Sequence, residues 1–566
     1  MNDLFAEPQL EIAEPSTENK KYLELLRYLH AQFIDAKNLG SLIQVDSKYK
    51  SVLDNFRKLL EDKTRDTNPT TRVTSETLLP IVNQAILLAN KYDVCVANPP
   101  YMGSKYQTPL VKTYLKDNFK GYEKDLFSAF IIRNLQLTRE HGELGFMTPF
   151  VWMFISSYEE LRSKLIKDDV ISSLVQLEYS GFDGATVPIC TFTITKGHIN
   201  NYKGSYIRLS DFKGSANQGP KTLEAINNRD CGWFFEARPD DFNKIPGSPI
   251  AYWSSFHKAF NSKSISHKLT SGGRCKTHND ELYVRYNWEV SANSSTWIPY
   301  EKGGEYRKWY GNTISVVNWS SDAKQHYLSR GGITQEKFWN RHAITWSAIT
   351  SSKNSFRLKR TDAQHSSGAP CLFSKNKAKD DEDVFFTLLG LCNSKVAEKL
   401  LSILSPTLNA NPGDVVKLPM VNGCSEIAEI VKNCIKLAKD DWDENLTSID
   451  FKYSPFLNNE LTILKSFRKY MKTAKDRSAT LLRLEQELNT YINQNFNSSL
   501  TGDINLDYSD ITLTSMYNDA SQLGDLVKDK LTYLTDFIVG CMMGRYSPDR
   551  EGLVYAYAGN QGSKNL

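Results

Sequence analysis

Tyr92-Asp93-Val94-Cys95-Val96-Ala97-Asn98-Pro99-Pro100-Tyr101 is the stretch that decides the reading of this 566-residue chain. The apolar run Val94–Ala97 reads as a short, buried-type strand. Two consecutive prolines end it at once, because they fix φ and offer no N–H to a ladder. Upstream, Leu78, Leu79, Ile81, Val82, Ile86 and Leu87 recur at helical spacing over 74–90, and Leu23, Leu25, Leu26, Leu29 and Phe33 do so over 22–36. Downstream, the spacing predicts a helix over 126–137, a strand over 145–148, a helix over 157–166 and a strand over 171–177. Val187, Ile189, Thr191, Thr193 and Thr195 alternate as a further strand. Strands alternating with helices predict an α/β layer with mainly parallel pairing. The Pro-Pro turn then falls where the carboxyl end of a strand meets the crevice of a doubly wound sheet.

Outside this layer the texture differs. Residues 1–20, rich in Glu, Pro, Ser and Asn, read as a flexible start. Beyond about residue 215 lie eight of the ten tryptophans, between Trp233 and Trp346, among many Gly, Ser, Asn and Lys residues, which is a loop-rich, mixed β composition. Helical character returns over 382–404, and 460–495 is the longest helical pattern, read as a packing spacer because its apolar spacing does not hold over enough heptads. A chain of this length exceeds one core, so several domains are expected.

Composition excludes some classes. No apolar run approaches the ~18 residues of a membrane span, and the N-terminus has no secretory h-region. The nine cysteines stand singly with no C-x-x-C pair, so neither a metal site nor a disulfide framework is expected, and a reduced cytoplasmic compartment fits. The net charge of +4 permits local basic grooves without demanding nucleic acid.

The turn carries chemistry. An amino group on an aromatic base is a poor nucleophile, since its lone pair is delocalised into the ring. Two acceptors aimed at its hydrogens free that lone pair. The Asn98 amide oxygen is one acceptor and the Pro99 carbonyl the other, with Pro100 fixing the backbone. This is electrostatics directed at charge that develops in the transition state. Tyr101 offers a flat face to a base flipped from its stack. The plainer alternative is a rigid Pro-Pro turn with Asn98 as a turn residue. Three further residues belong near this site. Asp125, opening the helix at 126, is a neighbour of the site or only a helix N-cap. Phe146 lies in Gly145-Phe146-Met147-Thr148-Pro149, which ends a strand. Phe182, in Gly181-Phe182-Asp183-Gly184, is a second aromatic wall for the base or an ordinary core aromatic. In 220–420, aromatic and basic residues interleave, and Arg274, Lys276, Arg307, Lys308, Lys353, Arg357 and Arg360 are the DNA-contact candidates. Most tryptophans there, such as Trp297 and Trp346, are expected in a core, and most charges on a solvated face.

VCVANPPYMG resembles the catalytic motif of adenine-specific DNA methyltransferases that act on the exocyclic amine, and DLFSAFI, GELGFMTP and FDGATVPICTFTI resemble the blocks that follow it. SGGRCKTHNDELYVRYNWEV resembles the start of a target-recognition region, with Lys276-Thr277-His278-Asn279-Asp280 where a glycine-containing turn is usual. Asn393-Ser394-Lys395, Ser405-Pro406-Thr407-Leu408-Asn409, Gly413-Asp414 and Leu418-Pro419 resemble its closing helix and turn. Asp441-Trp442-Asp443 and Gly540-Cys541-Met542-Met543-Gly544-Arg545-Tyr546-Ser547 resemble the PglX-type methyltransferases of BREX phage-defence systems. The resemblance implies an α/β fold with a partial Rossmann-like methyltransferase sheet over 21–215. It further implies a mixed α+β target-recognition domain over 216–420 and a helical C-terminal region over 421–566. It implies S-adenosylmethionine as methyl donor and N6 of a flipped adenine in double-stranded DNA as acceptor. Other phage-defence proteins are implied as further partners.

One block of that family is missing. Its donor site has Gly-x-Gly at the end of a first strand, where backbone must approach the donor closely. Before Asn98 the only glycine is Gly40. The chain is therefore expected to be an interior or truncated portion, silent in methyl transfer by itself. The alternative is a DNA-recognition or phage-sensing module that takes its donor site from a partner. A protein-glutamine methyltransferase shares the turn chemistry but has no need of the long aromatic-rich extension, and no nuclease pattern is evident.

Overall fold

The computed structural model describes residues 17–562, apart from 180, 182–186, 255, 292–293, 351–352, 377–379, 406–408, 497–503, 516–522, 555–556 and 559–560. The expectation for Phe182, most of the expected flexible start, and Pro406, Thr407 and Leu408 of the closing turn fall outside the described residues. The chain divides into two compact units, Met1–Ser255 and Phe256–Leu566.

The first unit begins with three helices: α1 (Thr17–Phe33), α2 (Lys50–Lys63) and α3 (Pro69–Ala89). Asn68 caps α3 by accepting from Thr70 N, and Pro69 sits at its first turn, where a missing N–H costs nothing. The strand β1 (Tyr92–Ala97) follows, then α4 (Pro109–Asn118), α5 (Leu126–Leu137), β2 (Thr138–Pro149), α6 (Glu159–Asp168) and β3 (Val170–Gln176). β4 (Ile189–Thr195), β5 (Gly204–Arg208), α7 (Ser215–Asn227) and β6 (Phe234–Ala237) complete the unit. The sheet runs β1-β2-β4-β3-β5-β6. Because β6 pairs with β5, residues beyond 215 continue this sheet.

Pairing is mixed rather than mainly parallel. β1 with β2 and β3 with β5 are parallel, while β2 with β4, β3 with β4 and β5 with β6 are antiparallel. β4 lies between β2 and β3 and runs antiparallel to both, a direction that the alternation of 187–195 does not contain, since side chains alternate faces in the same way along either kind of strand.

One face of the sheet is covered. Leu144 and Phe146 of β2 and Phe192 and Ile194 of β4 lie in a core shared with α3 and α5. Arg133 of α5 is buried there, and backbone carbonyls hold its guanidinium: Nε donates to Ser41 O (3.0 Å) and Nη2 to Ile43 O (2.7 Å) and Leu88 O (3.2 Å). The other face is bare beside β1. Val94 is 60% exposed and Val96 79%, on an edge strand with no neighbour on its outer side among the described residues. The strand exists as read, but it is not the buried type expected, since burial comes from neighbouring layers that its own pattern does not contain.

The second unit holds two four-stranded sheets. Their strands are β7 (Leu269–Ser271), β8 (Val284–Tyr286), β9 (Trp297–Glu301), β10 (Ser315–Asn318), β11 (Ala343–Trp346), β12 (Phe356–Lys359), β13 (Gln364–His365) and β14 (Cys371–Ser374). The orders are β13-β9-β10-β8 and β12-β11-β14-β7. Helices α8 (Ser321–Ser329), α9 (Asp380–Cys392), α10 (Lys395–Leu404), α11 (Ser425–Asp443), α12 (Ile463–Asn495) and α13 (Leu523–Met542) accompany them. Among the described residues no helix is long and apolar enough to cross a membrane.

Candidate active site

β1 ends at Ala97, and the turn brings Asn98 and Tyr101 to the surface while Pro99 is buried. The Tyr101 hydroxyl donates to Asn98 Oδ1 (3.2 Å) and to the Met147 carbonyl (3.2 Å) near the end of β2. The parallel register that pairs Ala97 with Phe146 brings these strand ends together. Tyr101 stands edge-on to Phe127 with centroids 6.5 Å apart, and Phe127 contacts Tyr158 in turn (5.4 Å). This fixes the Tyr101 ring while it stays 40% exposed, so it can stack with a planar ligand. Burial holds its phenol above the ordinary value, so it stays protonated as a donor at neutral pH. No hydrogen bond reaches the Pro99 carbonyl among the described residues. The Asn98 amide oxygen therefore sits beside a rigid aromatic ring, one residue from a backbone carbonyl with no partner among the described residues.

Asp125 supports the turn. Its Oδ1 accepts from Met102 N (2.8 Å) and Phe127 N (3.3 Å), tying the segment after Tyr101 to the first turn of α5. Burial raises its carboxyl pKa, partly opposed by these backbone N–H groups. It is the N-cap of α5 and also holds the backbone just after Tyr101. Phe146 is 3% exposed and stacks on Phe192 (5.5 Å), beneath the site in the core. The Met147 carbonyl and Phe127 were not singled out as site groups. Their signal was present, since both lie in the blocks that follow the turn in order.

The DNA-contact candidates separate into groups. Arg307, Lys308 and Arg357 are buried, with their charges held inside the second unit rather than presented to a ligand. Arg307 Nη2 donates to Asp441 Oδ2 (2.9 Å), and Lys308 Nζ to Glu485 Oε2 (2.7 Å). Trp309 takes φ +71°, and its Nε1 donates to the other Glu485 oxygen (2.7 Å). Arg357 Nη1 donates to the Arg307 carbonyl (3.3 Å). Arg360 pairs with Asp362 and Asp450, and Lys353 with Glu398 and Asp510. Arg274 and Lys276 are exposed and have no carboxylate partner among the described residues. In the turn that follows them, His278 occupies the left-handed region at φ +61°, where a glycine would sit without strain. Among the described residues no group of three or more His, Cys, Asp or Glu is placed to hold a metal ion.

Residues 16–182 match the family of Eco57I restriction-modification methylases. The chain is 30% identical over 591 residues to the adenine-specific methyltransferase BrxX of Escherichia coli O9:H4 (strain HS), covering 100% of this chain and 47% of that protein. It is 29% identical over 568 residues to the adenine-specific methyltransferase PglX of Lacticaseibacillus casei (strain Zhang), covering 93% of this chain and 46% of that one. The chain thus spans a little under half the length of these relatives. Among solved structures, the Type IIL restriction-modification enzyme MmeI in complex with DNA aligns with a TM-score of 0.45 at 11% identity, covering 86% of this chain and 78% of that one.

Proposed function

From the premise that this chain is a homologue of the BrxX and PglX adenine-specific methyltransferases, we propose that it carries the amine-activating part of such an enzyme. The acceptor is N6 of an adenine flipped out of double-stranded DNA, and the role is phage defence of the restriction-modification kind. The observation that carries this is the Tyr101 hydroxyl held against Asn98 Oδ1 and the Met147 carbonyl at the end of β1, with the Tyr101 ring still exposed. Asn98 Oδ1 and the Pro99 carbonyl accept the two amine hydrogens, which favours a tetrahedral nitrogen with its lone pair free. Tyr101 stacks on the flipped base, offsetting part of the few kcal/mol that flipping costs. Its hydroxyl holds the Asn98 amide in place.

S-adenosylmethionine is the proposed methyl source, as the family implies. The described residues do not form its cradle: Gly40 is the sole glycine before β1, and no atom stands within 4 Å of where its Cβ would be. We place the donor-holding half along the bare outer edge of β1, and take the isolated chain to be inactive. The same edge suits the alternative, a DNA-recognition module completed by a partner.

The test supplies the purified chain with labelled donor and duplex DNA, alone and mixed with the segment of PglX that lies upstream of its own matching turn. Transfer is expected only in the mixture. Transfer by the chain alone overturns its dependence on a second half. A mixture that binds donor and duplex yet transfers nothing overturns the methyltransferase reading.

A further inference from the structure

We propose that a cleft in the second unit is the surface on which this chain grips duplex DNA. The proposal rests on the DNA-methyltransferase reading above and assigns the place of contact. The cleft has a volume of about 920 Å³ and lies between β7, β14 and the segment after α8. Arg274, Lys337, Arg341 and Lys375 line it, and among the described residues no aspartate or glutamate does. Four cations without a carboxylate among them make a local positive field on a chain whose net charge is only +4.

The cations differ in how they are held. Arg274 and Lys375 are exposed and without an ion-pair partner among the described residues. The Arg341 guanidinium is oriented: Nη2 donates to Ser374 O (2.6 Å), and the group lies over the Phe373 ring (5.9 Å). Such a fixed, half-buried guanidinium suits a phosphate oxygen.

The floor gives an independent sign of a ligand. Thr334 lines the cleft at 2% exposure, and its Oγ1 has no hydrogen-bond partner. Buried hydroxyls are ordinarily paired, so this one lacks what an occupant of the cleft would provide. Two walls are bare backbone. Gly273 (φ +79°) and Gly331 (φ +65°) both have open space where a Cβ would stand, which lets a ligand approach the main chain closely.

The size and spread of the site favour DNA over a small anion. The cations come from three separate chain segments around a space far larger than one phosphate group. Repeated phosphates along a duplex match such a spread. Gln335 and Asn411, on the rim, are of the residue type that reads adenine edges.

The experiment measures binding of the full chain to a random-sequence duplex by fluorescence anisotropy across a salt series. It compares wild type, Arg274→Ala/Lys337→Ala/Lys375→Ala, and a control triple, Lys436→Ala/Lys465→Ala/Lys528→Ala, with circular dichroism to verify folding. The cleft triple is expected to weaken binding at least tenfold at low salt and to flatten the log–log salt slope by about 3. The control triple is expected to leave the slope near wild type. Equal slopes for wild type and a folded cleft triple overturn the cleft assignment and leave the methyltransferase reading standing. A wild-type chain that ignores duplex but binds inorganic pyrophosphate makes the cleft a small-anion site and overturns the proposal. A separate variant, Thr334→Val, is expected to lower duplex affinity while keeping or raising thermal stability; unchanged affinity removes the floor from the argument and counts against it.

Discussion

At the residue scale the active-site turn separates two roles that one side chain holds together. In the proposed function Tyr101 gives a ring to the base, while its hydroxyl donates to Asn98 Oδ1. Tyr101→Phe should keep base stacking and loosen only the Asn98 amide, whereas Tyr101→Ala should lose about 1–3 kcal/mol of affinity for DNA with an unpaired adenine. Anisotropy on such a duplex reads the difference, and equal losses would contradict stacking. His365 shows another residue-scale effect. It is 1% exposed, its Nε2 meets the Gly273 carbonyl (3.0 Å), and burial pushes its pKa down to about 4. The folded state therefore keeps the neutral ring while the unfolded chain takes up a proton near pH 6.5. Stability of the second unit should fall as pH drops from about 6.5 to about 4, by up to about 3 kcal/mol, and then level off. Urea midpoints across that range, compared with His365→Gln, check it, since glutamine keeps a donor but does not titrate. The motif made Asn98 and Tyr101 legible in the sequence. The buried cations were not: Arg307 and Lys308 beside Tyr306 and Trp309 look like a DNA-binding stripe, and their partners Asp441 and Glu485 stand 134 and 177 positions further on.

At the scale of elements, α11 and α12 are fastened to the β-rich part by these buried charges. Lys308 and Glu485 are each nearly inaccessible, so removing one strands the other. Glu485→Gln should destabilise the second unit by about 3–5 kcal/mol. The joint replacement Lys308→Met/Glu485→Gln, which keeps an acceptor for Trp309 Nε1, should recover most of that loss, because a buried pair contributes less than its breakage costs. Thermal melts of the single and double variants decide; a double variant as weak as the single one would show a positive net contribution from the pair. The same elements show what local pattern can carry. The helix expected over 126–137 is α5, Leu126–Leu137, because its apolar run and the Asp125 cap are contained in the segment itself. The direction of β4 was not contained there. It is set by pairing with β2 and β3, which lie outside the segment.

At the scale of the whole molecule, the division into Met1–Ser255 and Phe256–Leu566 departs from the boundary expected near 215. Composition changes at 215, yet β6 still belongs to the first sheet. A change of texture marks where tryptophans gather, whereas a unit is defined by the core its residues share. Trp346 illustrates this: fully buried and donating from Nε1 to the Ala410 carbonyl (2.8 Å), it was legible as core without revealing which core.

The bare edge of β1 also bears on how the purified chain behaves in solution. An edge strand that carries exposed Val94 and Val96 and is paired on one side only is a template for any other strand, and the nearest supply at high concentration is a second copy. Two copies joining β1 to β1 would form one continuous sheet with an isologous, twofold seam. Concentration-dependent dimers should appear in sedimentation, and Val96→Lys, which places a charge in that seam, should suppress them; dimers that persist unchanged in the variant would locate the seam elsewhere.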